Sequence, residues 1–229
     1  MLIQLAAELF MAISLGAAAI QDIHNRMIND LTWFLAAPGA ALSIWLISKS
    51  PPYLTSLYLL DAGIGIILAI AIWITKAMGE ADAIAIGLIS ITTIPPPPLT
   101  PLDMALNTPI IATLVNSMII TIPFIIWNAA LNLKRMKKCP EISKATPLVR
   151  VAYIIFLTCE QSIIVRRKPW AYSPGKLSIR ISDDAAQVTE GLEYMLVSYN
   201  MPYVAYIFMG YVIYILIGNL MLPLILLIA

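Results

Sequence analysis

Six long apolar runs divide this sequence, and they constrain its fold more than any other feature. A helix needs about 20 mostly apolar residues to cross a bilayer. The six runs cover approximately residues 2–21, 30–48, 56–75, 83–94, 107–131 and 202–228. The fourth run is short, because the four prolines of Pro95–Pro98 cannot continue a hydrogen-bonded helix. The sequence therefore predicts an all-α polytopic membrane protein with six transmembrane helices.

Composition supports the same class. Of the 229 residues, 60% are apolar and 12% are charged, whereas soluble domains have about 45–50% and about 25%. A chain of this length cannot bury so much apolar surface as a soluble monomer. The formal net charge of +1 gives no basis for nucleic-acid binding, so the lipid bilayer is the expected surrounding.

Basic residues are concentrated on one side of the predicted helices. If the helices alternate in direction, residues 22–29, 76–82 and 132–201 share one face and carry thirteen of the fourteen Lys and Arg residues, whereas the other face carries Lys49. Since Lys and Arg are enriched on the cytoplasmic side, we expect that first face to be cytoplasmic. The prediction is a multi-pass protein of the cell membrane with the N- and C-termini outside.

The predicted organisation has three parts, which are residues 1–131 with five transmembrane helices, a water-exposed segment 132–201, and the last helix in 202–229. The middle segment is predicted to be a small cytoplasmic α+β insertion. Its two cysteines, Cys139 and Cys159, are too few for a disulfide framework or a zinc module, so we expect free thiols.

Local patterns within the insertion predict its elements. Residues 170–175 are typical of a turn or loop, and the alternation in 176–182 predicts a strand. Asp183 and Asp184 lead into a predicted short helix that ends near Tyr199, whereas 151–157 fits either a helix or a strand.

Two aspartates lie at matching depths in the predicted helices. Asp22 ends the first helix and Asp82 begins the fourth, both at the cytoplasmic face. They can meet if these two helices pack together. Two neighbouring carboxylates hold one proton between them, because both cannot ionise cheaply. One can then act as base and the other as acid, as an aspartic protease requires to activate water. Such chemistry needs no metal and no cofactor.

Two other interpretations of these acids stay open. Asp22 can pair with Arg26 while Asp82 caps its helix, with no catalytic role. Alternatively, Asp22 and Asp82 form an ion path with Glu8 and Asp61. The protein would then be a non-enzymatic small membrane transporter or assembly subunit.

The sequence around both aspartates resembles a known family. Residues 79–82 are Gly-Glu-Ala-Asp, and Asp22 is followed by a polar stretch that includes Arg26. The final run contains Pro202-Tyr203 and Gly218-Asn219. These features resemble the GxGD membrane aspartyl proteases, and among them the archaeal type IV prepilin and preflagellin peptidases. The resemblance covers the whole chain in layout, and in detail the two aspartate motifs and the last run.

The resemblance implies a site and a substrate. The catalytic acids fall on Asp22 and Asp82, with Gly79 and Ala81 as the small residues of the motif, although the family usually has Gly where Ala81 stands. We expect Glu80 to attract the basic leader of the substrate. The partners would be pilin- or archaellin-like precursors with class III signal peptides, cut at the cytoplasmic border of the membrane.

Two other groups of GxGD proteases have features that this sequence lacks. The four-cysteine zinc loop of the bacterial branch, which also methylates its product, has no counterpart here, so we expect a peptidase without methyltransferase activity. The GxGD proteases that act on signal-peptide remnants have nine spans, and the short chain favours the prepilin group over them.

Overall fold

The computed structural model describes residues 2–98, 100–175 and 192–228, and most of them are helical. The helices are α1 (Leu2–Asn25), α2 (Ala37–Ile47), α3 (Pro52–Thr75), α4 (Glu80–Thr92), α5 (Pro101–Leu106), α6 (Pro109–Arg135), α7 (Pro140–Lys144), α8 (Pro147–Phe156), α9 (Ser162–Arg167), α10 (Tyr203–Ile217) and α11 (Met221–Ile228). Short 3-10 helices cover Asp30–Ala36 and Pro169–Ala171. The strands are β1 (Thr158–Gln161), β2 (Tyr172–Pro174) and β3 (Tyr194–Tyr199). The chain divides into a first unit, Met1–Ile120 with Pro202–Ala229, and a second unit, Thr121–Met201.

Four helical segments among the described residues are long and apolar enough to cross a membrane. They are Leu2–Asn25, Asp30–Ile47, Pro52–Thr75 and Pro109–Arg135. These four agree with the first, second, third and fifth predicted runs. The fourth and sixth runs form shorter helices, of 13 residues in α4 and 15 residues in α10.

The core of the first unit lies where α1, α4 and α10 meet. On α1, Met11, Leu15 and Ala18 are fully buried, and their spacing of three to four residues places them on one face of the helix. Asp22 continues the same spacing. On α4, Ile86 and Ile89 contribute to the same core, and the same helical spacing leads back to Asp82. The periodicity that builds the core therefore also turns both aspartates inward.

The last predicted helix is interrupted rather than continuous. Between α10 and α11 the backbone leaves the helix at Gly218, which has a φ of 93°. Asn116 of α6 donates to the Gly218 carbonyl at 3.0 Å and accepts the Leu220 N–H at 2.9 Å. A break in a helix leaves backbone groups without their helical partners, and this asparagine supplies one acceptor and one donor for them.

The second unit contains a three-stranded antiparallel sheet in the order β1-β3-β2. The central strand is β3, so the predicted helix ending near Tyr199 is wrong for residues 194–199, where aromatic and β-branched side chains favour a strand. The predicted turn at 170–175 contains β2. Residues 151–157, left open between helix and strand, are helical through Phe156 in α8. The strand predicted at 176–182 and the start of the predicted helix lie outside the described residues.

Cys139 and Cys159 form a disulfide bond, so the prediction of free thiols is wrong. Both cysteines are fully buried, and they share a core with Ile142, Leu157 and Leu196. The number of cysteines carries no information about which of them meet in space. Here the turn after α6 and the start of β1 bring them together.

Candidate active site

Asp22 lies in the last turn of α1 on its buried face. Asp22 is 8% exposed, and its Oδ1 lies 3.5 Å from a guanidinium nitrogen of Arg26. Arg26 follows α1 in the left-handed conformation, with a φ of 61°, and its N–H donates to the Asp22 carbonyl at 3.2 Å. The end of α1 thus folds the Arg26 side chain back towards the carboxylate.

The start of α10 faces the same carboxylate. The backbone N–H groups of Val204 and Ala205, in the first turn of α10, lie beside Asp22. The buried Oδ2 of Asp22 nevertheless accepts no hydrogen bond of normal geometry from the described chain. A helix N-terminus favours negative charge, so α10 stabilises an ionised Asp22 without occupying both of its oxygens.

Asp82 is the third residue of α4 and is 7% exposed. Its Oδ2 accepts the Gly79 N–H at 3.0 Å, which closes the first turn of α4. A β-carbon at Gly79 would lie 3.2 Å from that oxygen, closer than side chains normally approach. A larger residue at position 79 would therefore require the Asp82 carboxylate to shift by a few tenths of an ångström.

Ala81 sits in α4 with ordinary helical geometry. Among the described residues, positive φ outside glycine occurs at Arg26 and Lys76, so the backbone at Ala81 does not require glycine. Its side chain packs against the core of the first unit. Alanine is therefore accommodated where the resembled family usually has glycine.

The two carboxylates lie at the same end of the first unit, within electrostatic range of each other. Asp82 interacts electrostatically with both Asp22 and Arg26, and the hydroxyl of Tyr203, the first residue of α10, interacts with Asp82. The site thus consists of two buried acids, one cation and one phenol. Such a group can bind a water molecule and a peptide carbonyl, and can move a proton between them.

The structure also contains the contacts that the non-catalytic roles of these acids predict. Asp22 pairs with Arg26, and Asp82 caps the N-terminus of α4 through Gly79. Neither role requires the acids to be neighbours, because each contact lies within one local segment. Burying two carboxylates within electrostatic range of each other costs free energy. The local roles of the two acids do not explain this cost.

Glu80 points to a different surface from Asp82. It is exposed and lies on a groove of about 460 Å³ between α3 and α4. The walls of the groove are apolar and include Ile66, Ile70, Trp73 and Ile84. A carboxylate therefore lies beside an apolar groove, two residues away from Asp82.

Glu8 and Asp61 are not part of this site. Both act electrostatically on Tyr214, which is three turns along α10 from Tyr203. Asp61 is fully buried and accepts the Ile110 N–H at 3.4 Å. Glu8 accepts a hydrogen bond from Gln4 at 3.1 Å. Glu8 and Asp61 therefore act near Tyr214, whereas Asp82 acts near Tyr203, at a different position along α10.

Sequence reasoning did not assign Arg26 and Tyr203 to the site. The sequence indicates Arg26 only as a competing partner for Asp22, and Tyr203 only as the start of the last apolar run. Their positions in the sequence could have indicated them, because each lies at a predicted helix end on the same predicted face as Asp22 and Asp82. In the part of the chain that is described, no group of three or more His, Cys, Asp or Glu residues could hold a metal ion.

A scan against models of known protein families finds no match for the chain. A search of curated proteins also finds no match. The geometry of the site and the sequence pattern therefore carry the functional argument.

Proposed function

We propose that this protein is a membrane aspartyl endopeptidase of the prepilin and preflagellin peptidase type, with Asp22 and Asp82 as its catalytic acids. The observation that carries the proposal is the burial of these two carboxylates, within electrostatic range of each other, where α1, α4 and α10 pack together. The local sequence patterns around both residues support the same assignment.

In the proposed mechanism, Asp22 is the base and Asp82 the acid. Arg26 and the start of α10 favour negative charge on Asp22. Asp22 takes a proton from water as the water oxygen bonds to the scissile carbonyl carbon, and Asp82 gives its proton to the carbonyl oxygen. When the tetrahedral intermediate breaks its C–N bond, the proton on Asp22 passes to the leaving amine and Asp82 regains its proton from the new carboxyl group.

The proposed substrates are precursors with a short basic leader followed by an apolar helix. The groove between α3 and α4 offers apolar walls for such a helix, and Glu80 offers a negative charge for the leader. The cut would then fall at the border between the apolar layer and water, in the first turn of α4, where Asp82 lies.

The proposed topology has six membrane helices, with α4 and α10 as short members and the site on the cytoplasmic face. The asymmetric distribution of Lys and Arg supports it. Residues 132–201 would lie in the cytoplasm and both termini outside. Labelling intact cells with a membrane-impermeant thiol reagent should modify Lys49→Cys and spare Lys76→Cys.

The deciding experiment is cleavage of a pilin-type precursor by the purified protein in detergent, with mass analysis of the products. The wild type should release the leader at one bond. Asp22→Asn and Asp82→Asn, made singly, should each lower the rate by about 10²–10⁴-fold without loss of folding. Asp30→Asn, a change at the exposed aspartate that begins the following 3-10 helix, is the matched control. Full cleavage by both active-site variants would refute the proposal.

A second cavity favours the alternative function of a small membrane transporter. It has a volume of about 440 Å³ and is lined by residues that include Glu8, Asn107 and Tyr214. In this alternative, wild-type protein cleaves no precursor, and proteoliposomes carry an ion flux that depends on Glu8. Neither behaviour is expected of a peptidase.

A further inference from the structure

Helix α8 exposes its apolar side chains and partly buries its charged one, the reverse of a helix on a soluble surface. Leu148, Val151 and Phe156 are 85%, 55% and 67% exposed. The charged residue of this helix, Arg150, is only half-exposed, and it donates hydrogen bonds to the carbonyls of Ser143 at 2.8 Å and Ala145 at 3.1 Å. A helix on a soluble surface turns its charges outward and its apolar side chains inward. The exposed face of α8 is therefore suited to an apolar surrounding.

Two asparagines of α6 hold the end of this helix. The side-chain amide of Asn132 donates to the carbonyls of Ile154 and Leu157 at 2.8 and 2.6 Å. Asn128, one turn earlier, donates to the Leu157 carbonyl at 2.9 Å. These bonds satisfy carbonyls that the end of a helix leaves free. They also fix the C-terminal end of α8 against the last turns of α6.

The last turns of α6 mark where an apolar helix reaches water. Trp127 and Leu133 are 64% and 58% exposed, and Lys134 and Arg135 end the helix. Exposed tryptophan followed by basic residues is typical of the boundary between the acyl chains and the headgroups. Since Asn128 and Asn132 lie in this stretch, the end of α8 is held at the same depth.

The charge of the second unit, which contains α8, matches an anionic lipid surface. The described residues of the second unit include nine Lys and Arg residues and three Glu residues. Arg166, Arg167 and Lys168 are exposed at the end of α9, and Lys137 and Lys138 are exposed after α6. Exposed basic residues beside an apolar helix face strengthen binding to anionic headgroups.

We propose that α8 is an interfacial helix, which lies in the membrane–water boundary with Leu148, Val151 and Phe156 among the acyl chains of anionic lipids. The depth of its anchoring on α6 and the basic surroundings favour lipid over a protein partner. This inference is independent of the proposed peptidase activity.

The test places an environment-sensitive fluorophore on the full-length protein at Leu148→Cys and, as the matched control, at Lys144→Cys, the exposed residue that ends α7. One protein chain per lipid nanodisc excludes a second copy. With brominated anionic lipids, we expect blue-shifted emission and strong quenching at position 148, and water-like emission with little quenching at position 144.

Two outcomes would overturn the proposal. Blue-shifted emission at 148 without bromine quenching would mean that protein rather than lipid covers the face. Equal quenching at 148 and 144 would mean that α8 has no defined orientation in the interface. In nanodiscs of zwitterionic lipid the quenching at 148 should fall, and no difference between the two lipids would refute the role of anionic headgroups.

Discussion

At the residue scale, Arg26 has a conformation and a charge that can be separated by mutation. Its φ of 61° is a left-handed conformation that glycine adopts without cost, and its guanidinium acts on both carboxylates. Arg26→Gly should therefore keep or raise the melting temperature while cleavage falls about tenfold, the effect of losing about 1.4 kcal/mol of charge stabilisation.

Lys76 provides the matched control for this prediction, because it follows α3 with a φ of 52°. Lys76→Gly should keep stability in the same way and leave cleavage unchanged. Equal loss of cleavage in both variants would assign the effect to the helix ends and not to the charge of Arg26.

Tyr203 is the second residue whose role can be isolated. Its hydroxyl interacts with Asp82, whereas its ring packs against the core. Tyr203→Phe should lower the cleavage rate by roughly tenfold, the effect of losing about 1.4 kcal/mol of transition-state stabilisation by the phenol, with little change in melting temperature. Tyr53→Phe, at an exposed tyrosine near the start of α3, should behave as wild type. An unchanged rate in Tyr203→Phe would remove the phenol from the mechanism.

The sequence predicts Asp22 and Asp82 at matching depths, and the helical spacing of the core residues turns both towards one core. Their catalytic roles stay predictions. The contribution of Tyr203 was not foreseeable in the same way, since it depends on α10 packing between α1 and α4 rather than beside another helix. Hydropathy gives the number of apolar runs but not which runs become neighbours.

At the element scale, the first turn of α4 depends on Gly79. A β-carbon there would press on the Asp82 carboxylate at 3.2 Å, so Gly79→Ala should reduce cleavage by displacing that group. Ala81→Gly should leave cleavage nearly unchanged and cost about 1 kcal/mol of helix stability at most. Cleavage rates and thermal unfolding of the two variants check both statements. Higher activity in Ala81→Gly would show that glycine has a further role at this position.

Asp61 has a structural role in the packing of α3 against α6. Its Oδ1 accepts the Ile110 N–H in the first turn of α6, a group that the helix itself leaves free. Asp61→Ala should destabilise the protein by about 1–3 kcal/mol, whereas Asp61→Asn, which keeps an acceptor oxygen, should cost much less. Chemical denaturation in detergent measures the free energy of unfolding of both variants. Equal loss in the two variants would show that the charge matters and would favour the ion-path interpretation.

The elements predicted best are those with long uninterrupted apolar runs, such as α1, α3 and α6. The predictions failed at β3, where a strand stands in place of a helix. Six residues are too few to establish a helical period, and the pairing of β3 with β1 and β2 joins segments far apart in the sequence. The break after α10 is another non-local feature, because it depends on Asn116 of a different helix.

At the scale of the whole molecule, the disulfide connects the chain after α6 to β1 over a sequence separation of 20 residues. Closing a loop of this size stabilises a fold by about 3 kcal/mol. Replacing both Cys139 and Cys159 by Ala should therefore make the second unit more sensitive to proteolysis. The first unit, which holds the proposed site, should keep its melting behaviour. Limited proteolysis followed by mass analysis shows whether the new cleavage sites lie in the second unit or in the first.

This disulfide also bears on the proposed topology. Disulfides are rare in a reducing cytoplasm, although intracellular proteins of hyperthermophiles contain them. Alkylation in intact cells, before and after reduction, should find both thiols blocked until the reductant is added. Full alkylation without reductant would show that the bond does not form in the cell.

The membrane class followed from composition alone, because 60% apolar residues exceed what a small soluble fold can bury. The number of spans did not follow as directly. A run of apolar residues shows that a segment prefers lipid, whereas its helical length also depends on prolines, glycines and buried asparagines that interrupt it.

Under the proposed six-helix topology, the short helices α4 and α10 would have a consequence for the surrounding lipid. With 13 and 15 residues, they are only about 20 and 22 Å long, against about 30 Å of hydrocarbon in a typical bilayer. A mismatch of this size is relieved by local thinning of the membrane. Because both helices begin beside the two acids, the thinned region would adjoin the site, and water would reach a membrane-embedded peptide bond over a shorter path.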